Sequence, residues 1–385
     1  MKQKFYPYFL LVSMMVALVG CKSASKMYQQ GNYDEAVELA AKKLQKKPGD
    51  AELVHVIQNA YRFAVNDHES RIQALSAGQS EMKYEAIYRE YASLQRLYDA
   101  IYHSPEVMNV VEPTDYSSYL VTYADKTADA YRDRAYRRMD MGTKESFRDA
   151  YFDLEKALGY RRGDLELLEA KEEAYENALT RVVVLPMDDG LNGFRFSSYN
   201  MTERYDLDDQ ILRNLKYNSS NLFVKFYSRA EARGLNIVPD QVVELRLNTL
   251  QTGGMRDRED RREVSKEIVV KETVYRPDSV VKEYAKVKAV ITQHRRTLSA
   301  EGSLTITVRD GDGRRIWSDL AAGGYDWATE FTTYTGDERA LSENDRKLIR
   351  VRAENPPSDR EMINCVLNDI QAKANNQLRN YFNRF

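Results

Sequence analysis

The sequence predicts an α+β chain of two domains, in which all-α helical hairpins precede an α/β domain with long antiparallel hairpins and a C-terminal helix. Three observations carry that prediction. From residue 22 to 180, small and apolar residues recur at steps of three and four, which places them on one helical face. At Arg181 the pattern changes to a short β-branched run closed by Pro186 and the acidic pair Asp188-Asp189, the pattern of a buried strand. Residues 255–326 then alternate polar and apolar with period two, which buries one face of a strand and wets the other.

The first 20 residues stand apart from both domains. Lys2 and Lys4 make a positive start, and Phe5 to Gly20 is an almost unbroken apolar stretch that contains Pro7 and Ser13. That stretch is marginal for a hydrocarbon core of about 30 Å, which takes roughly 20 residues to cross. A charged start, a short apolar centre and small residues before a cut describe a secretory signal peptide over 1–20. The tetrad Leu18-Val19-Gly20-Cys21 resembles the lipobox of bacterial lipoproteins. The resemblance implies that the Cys21 thiol is lipidated, that the chain is cut before it, and that the new amino terminus is acylated. The competing reading is an uncleaved anchor or a chance cysteine. Acyl chains such as palmitate, at roughly 0.8 kcal/mol per buried methylene, would hold the chain to a membrane without a spanning helix. By analogy with lipoprotein sorting, Lys22 is not the aspartate that retains many lipoproteins at the inner membrane. The first acidic residue after Cys21 is Asp34, unlike acidic surface-export tags, so the expected place is the periplasmic face of the outer membrane.

The chain has 385 residues, enough for two domains or a little more. Its 57 basic and 59 acidic residues nearly cancel, so global charge gives no argument for nucleic acid or anionic lipid. With two cysteines, and Cys21 lipidated, Cys365 has no partner within the mature chain. Its neighbours Met362, Ile363, Val366 and Leu367 predict a buried thiol on a helix face.

In the helical domain, predicted over 21–180, Gly31-Asn32-Tyr33 separates two helix-like stretches, and Ala36, Ala40 and Leu44 recur at fours. Pro48-Gly49-Asp50 stops the helix, and Ala51 to Ala64 restarts it. This segment resembles a tetratricopeptide repeat at Tyr28, Gly31, Tyr33, Ala36, Leu44 and Pro48. The resemblance implies a glycine that turns the hairpin, small residues that let paired helices approach, and a proline that ends the second helix. Lys43 departs from it, standing where a small residue is usual. A second unit is expected near 135–178, where Ala150, Leu154 and Ala157 match and Arg162-Gly163-Asp164 stands in the place of Pro48-Gly49-Asp50.

Residues 65–134 between the units are rich in tyrosine, with Tyr84, Tyr88, Tyr91, Tyr98 and Tyr102 mostly three, four or seven residues apart. Tyr84, Tyr88, Tyr91 and Tyr98 are the candidate partner-binding residues. The simpler reading is that their rings are buried between helices with the hydroxyls wet. Breaks at Ser104-Pro105 and Glu112-Pro113 separate two long helices.

The second domain is predicted over 181–385. After the first strand, a polar loop over 191–205 leads to a helix starting at Asp206 to Asp209. A strand follows from Leu222 to Tyr227, then a short helix stopped by Gly234 and a strand over 241–250. Strand, helix, strand, helix, strand implies an α/β layer. The order, with its valine run ending in Leu185-Pro186, resembles over 181–250 the periplasmic domain of curli-secretion-channel-like lipoproteins.

In the hairpin extension, Val287, Ala289 and Ile291 alternate with Lys286, Lys288 and Thr292, and Leu304, Ile306 and Val308 with Ser303, Thr305 and Thr307. Asp310-Gly311-Asp312-Gly313 is a hairpin turn before Ile316-Trp317, since the glutamate that would close a calcium loop is missing. The mixed charges of 255–267 suit a solvated hairpin end, and 332–345 is loop-like. A helix over 358–384 closes the chain, with Ser358 and Glu361 as a capping box and Met362, Val366, Ile370, Ala374, Leu378 and Tyr381 on the face toward the sheet.

Catalytic constellations are not found in the sequence. Four histidines (His55, His68, His103 and His294) are scattered singly, and no nucleophile elbow, Walker loop or dinucleotide fingerprint is present. Asp188 and Asp189 are the best enzymatic candidates, although adjacent acids more often simply end a strand. The expected function is a lipid-anchored cell-envelope protein, not an enzyme, that acts as a protein–protein interaction scaffold or assembly factor. Its expected partners are the membrane through the N-terminal lipid and other envelope proteins. No nucleic acid, cofactor or metal is implied, and a small-molecule ligand stays open. The alternative is a subunit of an oligomeric outer-membrane secretion channel, with the strands 264–274 and 281–310 entering the membrane. Those strands are long enough, yet Lys266, Glu272 and Glu283 interrupt their apolar faces.

Overall fold

The computed structural model describes residues 23–189, 201–276 and 279–384. The chain divides into two compact units between Ala178 and Leu179.

The first unit is all helix: α1 (Ala24–Gln29), α2 (Tyr33–Leu44), α3 (Ala51–Ala77), α4 (Lys83–Tyr102), α5 (Pro105–Val111), α6 (Ser117–Met139), α7 (Lys144–Tyr160) and α8 (Leu165–Ala178). Gly31 turns α1 into α2 with φ +79°, a conformation that costs glycine nothing. Ala36, Val37, Ala40, Ala41 and Leu44 are buried against Ile57, Ala60, Tyr61 and Ala64 of α3. Five alanines at this contact let the helix backbones approach closely. A similar ladder joins α6, α7 and α8 through Ala128, Ala135, Ala150, Leu154, Ala157, Leu167 and Ala174. Lys43 stands on the exposed side, so its size is no obstacle to packing.

The two turns compared in the sequence cap the next helix in the same way. Asp50 Oδ1 accepts the Leu53 N–H at 3.2 Å, and Asp164 Oδ1 accepts that of Leu167 at 3.3 Å. Where the second turn lacks proline, Gly163 supplies the reversal with φ +76°. Helix α3 runs on to Ala77, beyond the expected Ala64, because His68 and Ile72 continue its buried stripe among charged residues. The break before α6 contains a short helix, α5.

The second unit begins with β1 (Thr180–Val184) and β2 (Asp188–Asp189), followed by α9 (Met201–Asn218), β3 (Val224–Ser228), α10 (Arg229–Gly234) and β4 (Gln241–Thr252). Helix α9 starts earlier than Asp206. Three long strands follow, β5 (Arg256–Arg276), β6 (Ser279–Asp310) and β7 (Arg315–Gly336), then α11 (Glu343–Ile349) and α12 (Asp359–Phe382). Strands β3, β1 and β4 are parallel neighbours, and β6 runs antiparallel to β4, β5 and β7. β4 and β5 lie end to end along the same edge of β6.

The core of this unit lies between the sheet and helices α9 and α12. Leu304, Ile306 and Val308 are fully buried, as their alternation requires, and so are Ile211 of α9 and Val366, Ile370, Ala374 and Leu378 of α12. Ser358 and Glu361 form the capping box of α12. Two glycines allow the close fit of this helix. Gly302 and Gly323 are cross-strand partners, and a Cβ on Gly323 would stand 2.6 Å from the Val366 carbonyl oxygen.

Four expectations are corrected. Cys365 is exposed: at about 100° per residue the core side of α12 takes Met362, Ile363, Val366 and Leu367 and turns Cys365 outward. The loop expected at 332–345 is divided among the end of β7, a turn of 3-10 helix at Glu338–Ala340 and the start of α11. The strand signal there is weak because Thr329 and Thr332 take buried positions that apolar residues usually fill. Residues 256–267 are not a hairpin end but a ladder within β5, with the Asp257 carboxylate 2.9 Å from Arg296 and Arg262 paired to Asp345. The extension reaches Gly336, ten residues beyond its expected end at 326.

Candidate interaction sites

Cys21 and the leader 1–20 lie outside the described residues. Among the described residues, no helix is long and apolar enough to cross a membrane.

The four candidate tyrosines all lie on α4, half-buried, and the structure divides them. Tyr91 stacks on Tyr119 and Tyr123 of α6, with ring centres 4.8 and 5.1 Å away. Tyr84 tilts against Tyr123 at 6.4 Å, and the Lys126 ammonium sits 4.9 Å from the Tyr123 ring centre. Tyr88 meets Tyr160 of α7 edge-on at 5.2 Å. Tyr98 stacks only on Tyr102, one turn along its own helix. Three of the four rings therefore join helices, while the fourth, with the exposed Tyr102, is open to an incoming group.

Beneath the array, Glu85 accepts the hydroxyls of Tyr131 at 2.8 Å and Tyr160 at 3.3 Å. Burial and this carboxylate push the Tyr131 hydroxyl well above the ordinary phenol range. Tyr116 is pushed up to about 12, chiefly by burial and then by Tyr61 and Glu69.

A groove of about 600 Å³ opens beside α3, where Gln58, Asn59, Arg62, Asn66, Glu69 and Thr114 contribute to its wall. Tyr61, Val65, Val110, Val111 and Tyr116 complete the lining. A wall of this chemistry suits an extended backbone with polar groups to satisfy.

Sequence reading missed a charged node that ties three helices together. His68 of α3 is 4% exposed, with Nε2 3.1 Å from Asp34 of α2 and Nδ1 2.5 Å from Glu90 of α4. Burial opposes its charge, yet the two hydrogen-bonded carboxylates outweigh that and raise its pKa. Asp34 is lowered, first by its hydrogen bond to His68. These residues are 34 and 22 positions apart, so no spacing in the sequence announces them.

Asp188 and Asp189 form the short strand β2 beside Arg246 and Leu247 of β4, and Asp188 is exposed. Among the described residues no group of three or more histidine, cysteine or acidic side chains is arranged to hold a metal ion. The Asp310 carboxylate is engaged in its turn, accepting the Asp312 and Arg314 backbone N–H groups at 3.1 and 2.9 Å.

The most exposed feature of the second unit is the far end of the β5–β6 hairpin. β7 accompanies β6 only as far as Ala289, so residues 265–276 and 279–288 form a two-stranded ribbon. At about 3.3 Å per residue this ribbon is roughly 40 Å long. It carries Val269, Val270, Val280, Val281 and Tyr284, all between 39% and 64% exposed, with Val269 directly opposite Tyr284. Between them lie opposed charges, including the Glu272–Lys282 pair at 2.7 Å. No protein-family model matches this chain, and no curated protein matches it.

Proposed function

We propose that this chain is a lipid-anchored cell-envelope protein, on the periplasmic side of the outer membrane, that works as an interaction scaffold or assembly factor and not as an enzyme. The β5–β6 ribbon carries the reading. An isolated two-stranded hairpin is at best marginally stable in water, and this one spends five large apolar side chains on solvent. Such a ribbon gains stability from a partner laid against it, by side-chain burial or by pairing to the edge of β5. The polar groove beside α3 offers a second platform, in the first unit.

The lipobox resemblance at Leu18-Val19-Gly20-Cys21 supports the anchor. A channel subunit is favoured by one observation, the ribbon's strand length, which meets the roughly 9–11 residues that a barrel strand takes. The charges along it, among them the Glu272–Lys282 pair, favour the scaffold.

Brief crosslinking of cells, followed by extraction in mild detergent and measurement of particle mass and composition, tests the reading. A monomer or small complex joined to other envelope proteins through the ribbon supports the scaffold. A large ring of this chain alone overturns it in favour of the channel.

A further inference from the structure

The helical unit carries a dense cluster of cations at one end. Lys42, Lys43, Lys46 and Lys47 fall within six residues at the end of α2 and the turn after it, and all four are exposed. None of them makes an ion pair among the described residues. Leu44, between them, is buried and fixes the helix end from which they project.

The same end of the unit receives the start of the chain. Ser23, the N-cap of α1, shares a surface cavity of about 490 Å³ with Lys43, Lys46 and Lys47. Cys21 is two residues before Ser23, and two residues of chain span at most about 7 Å. Whatever holds Cys21 therefore holds Ser23, and with it the cavity that the lysines line, on the same side of the unit. Asp50 and Glu52 also line the cavity, but Asp50 caps α3 and Glu52 accepts the Ser25 hydroxyl at 2.8 Å.

We infer that Lys42, Lys43, Lys46 and Lys47 form a second membrane contact, which binds the phosphate-bearing headgroups of anionic phospholipids beside the lipid on Cys21. The orientation part of this inference rests on the proposed lipidation, whereas the headgroup binding does not. A cation near an anionic surface contributes about 1 kcal/mol, which is about fivefold in partitioning. One acyl chain alone binds reversibly, and a polybasic patch is one of the additions that make anchoring stable. The contact would also set the unit's orientation, with this end of α2 toward the bilayer.

The test uses the chain beginning at Lys22, which keeps both described units and has neither leader nor acylated cysteine. Its sedimentation with phosphatidylcholine vesicles is compared with that on vesicles that also contain phosphatidylglycerol. The expected result is binding to the anionic vesicles only, reversed by salt as screening shortens the reach of the charges. Lys42→Gln, Lys43→Gln, Lys46→Gln and Lys47→Gln together should lower it several-hundredfold, about fivefold for each cation removed. The same loss of charge at Lys266, Lys271, Lys286 and Lys288 of the β5–β6 ribbon should leave it within about threefold, since those cations belong to the other unit and are no part of the cluster at the end of α2. Equal binding to both vesicle types, or a greater loss from the ribbon variant than from the α2 variant, overturns the inference. Acyl labelling of Cys21 in cells is read separately, so that failure of the anchor and failure of the patch are distinguishable.

Discussion

Glu90 on α4 reaches His68 on α3 with a carboxylate oxygen 2.5 Å from Nδ1, and Asp34 on α2 closes on the other ring nitrogen at 3.1 Å. An imidazole flanked in this way is a donor on both sides when protonated. Its charge is then balanced by both acids, with Arg71 3.3 Å from Glu90 at the solvent edge.

The node makes stability depend on pH in a stated direction. The His68 pKa is raised above its ordinary 6.5, so its contribution is complete below that value and disappears as pH rises through the folded pKa. Asp34 is lowered from 3.8, so its contribution is complete above that value and disappears as pH falls through its own folded pKa. The advantage of the wild-type chain over His68→Gln in thermal unfolding should therefore be greatest between these ordinary values and shrink in alkali. An advantage that does not change between mildly acidic and alkaline buffer would show that His68 is not charged in the fold.

Asp153 of α7 lies 3% exposed between two guanidiniums, 2.5 Å from Arg134 and 2.6 Å from Arg138 of α6. Removing one partner of a buried ion pair leaves an uncompensated charge, so Asp153→Ala should cost about 3–5 kcal/mol. Denaturant unfolding followed by far-UV circular dichroism measures this. A loss below about 1 kcal/mol would mean that water already shares the site.

Gly323→Ala should be costly and Gly324→Ala should not. The first puts a methyl 2.6 Å from the Val366 carbonyl oxygen and 2.7 Å from Ile370, whereas the second meets nothing closer than 3.8 Å. Overpacking of this kind costs typically about 1–3 kcal/mol, seen as a lower unfolding midpoint. Equal midpoints for the two variants would show that α12 shifts away without penalty.

The four tyrosines of α4 should separate by their ring contacts. Tyr91 touches three rings across a helix boundary and Tyr98 only Tyr102 on its own helix. Aromatic pairs contribute about 0.5–1.5 kcal/mol each beyond buried area, so Tyr91→Ala should destabilise the chain clearly more than Tyr98→Ala. The reverse order would point to a ring array held by something other than these contacts.

Val269→Thr, Val281→Thr and Tyr284→Thr together should leave unfolding within about 0.5 kcal/mol per site, the usual range for exposed positions, and abolish crosslinking of the chain to its envelope partners. Threonine preserves the strand preference. Undiminished crosslinking would remove the β5–β6 ribbon from the interaction.

The regular parts of this fold were legible because their signals are local. Ala36, Ala40 and Leu44 at fours, the Pro48-Gly49-Asp50 stop, the Ser358 cap, the valine run before Pro186 and the Leu304-Ile306-Val308 alternation each report within a few residues of themselves. Legibility failed where a buried position is polar. His68 hides the last three turns of α3, and Thr329 and Thr332 hide the last residues of β7; the burial of His68 and Thr329 is offset by partners distant in the chain. For Cys365, the two apolar residues on each side gave the wrong face, since only the angle around α12 relative to the sheet decides which of them turn inward.

Composition and periodicity by themselves determined the two-part order of the chain, with helical hairpins first and an α/β sheet with long hairpins after, because a helix or strand must repeat its apolar residues at its own period to bury them. Only the tertiary structure decided which tyrosines join helices, where the His68 and Asp153 charges find their counterions, how Gly302 and Gly323 admit α12, and that β5 and β6 run on past β7 as an exposed ribbon. Those are pairings between residues tens of positions apart. Their energies depend on distance in space and on exclusion of water, and neither is written in the spacing along the chain.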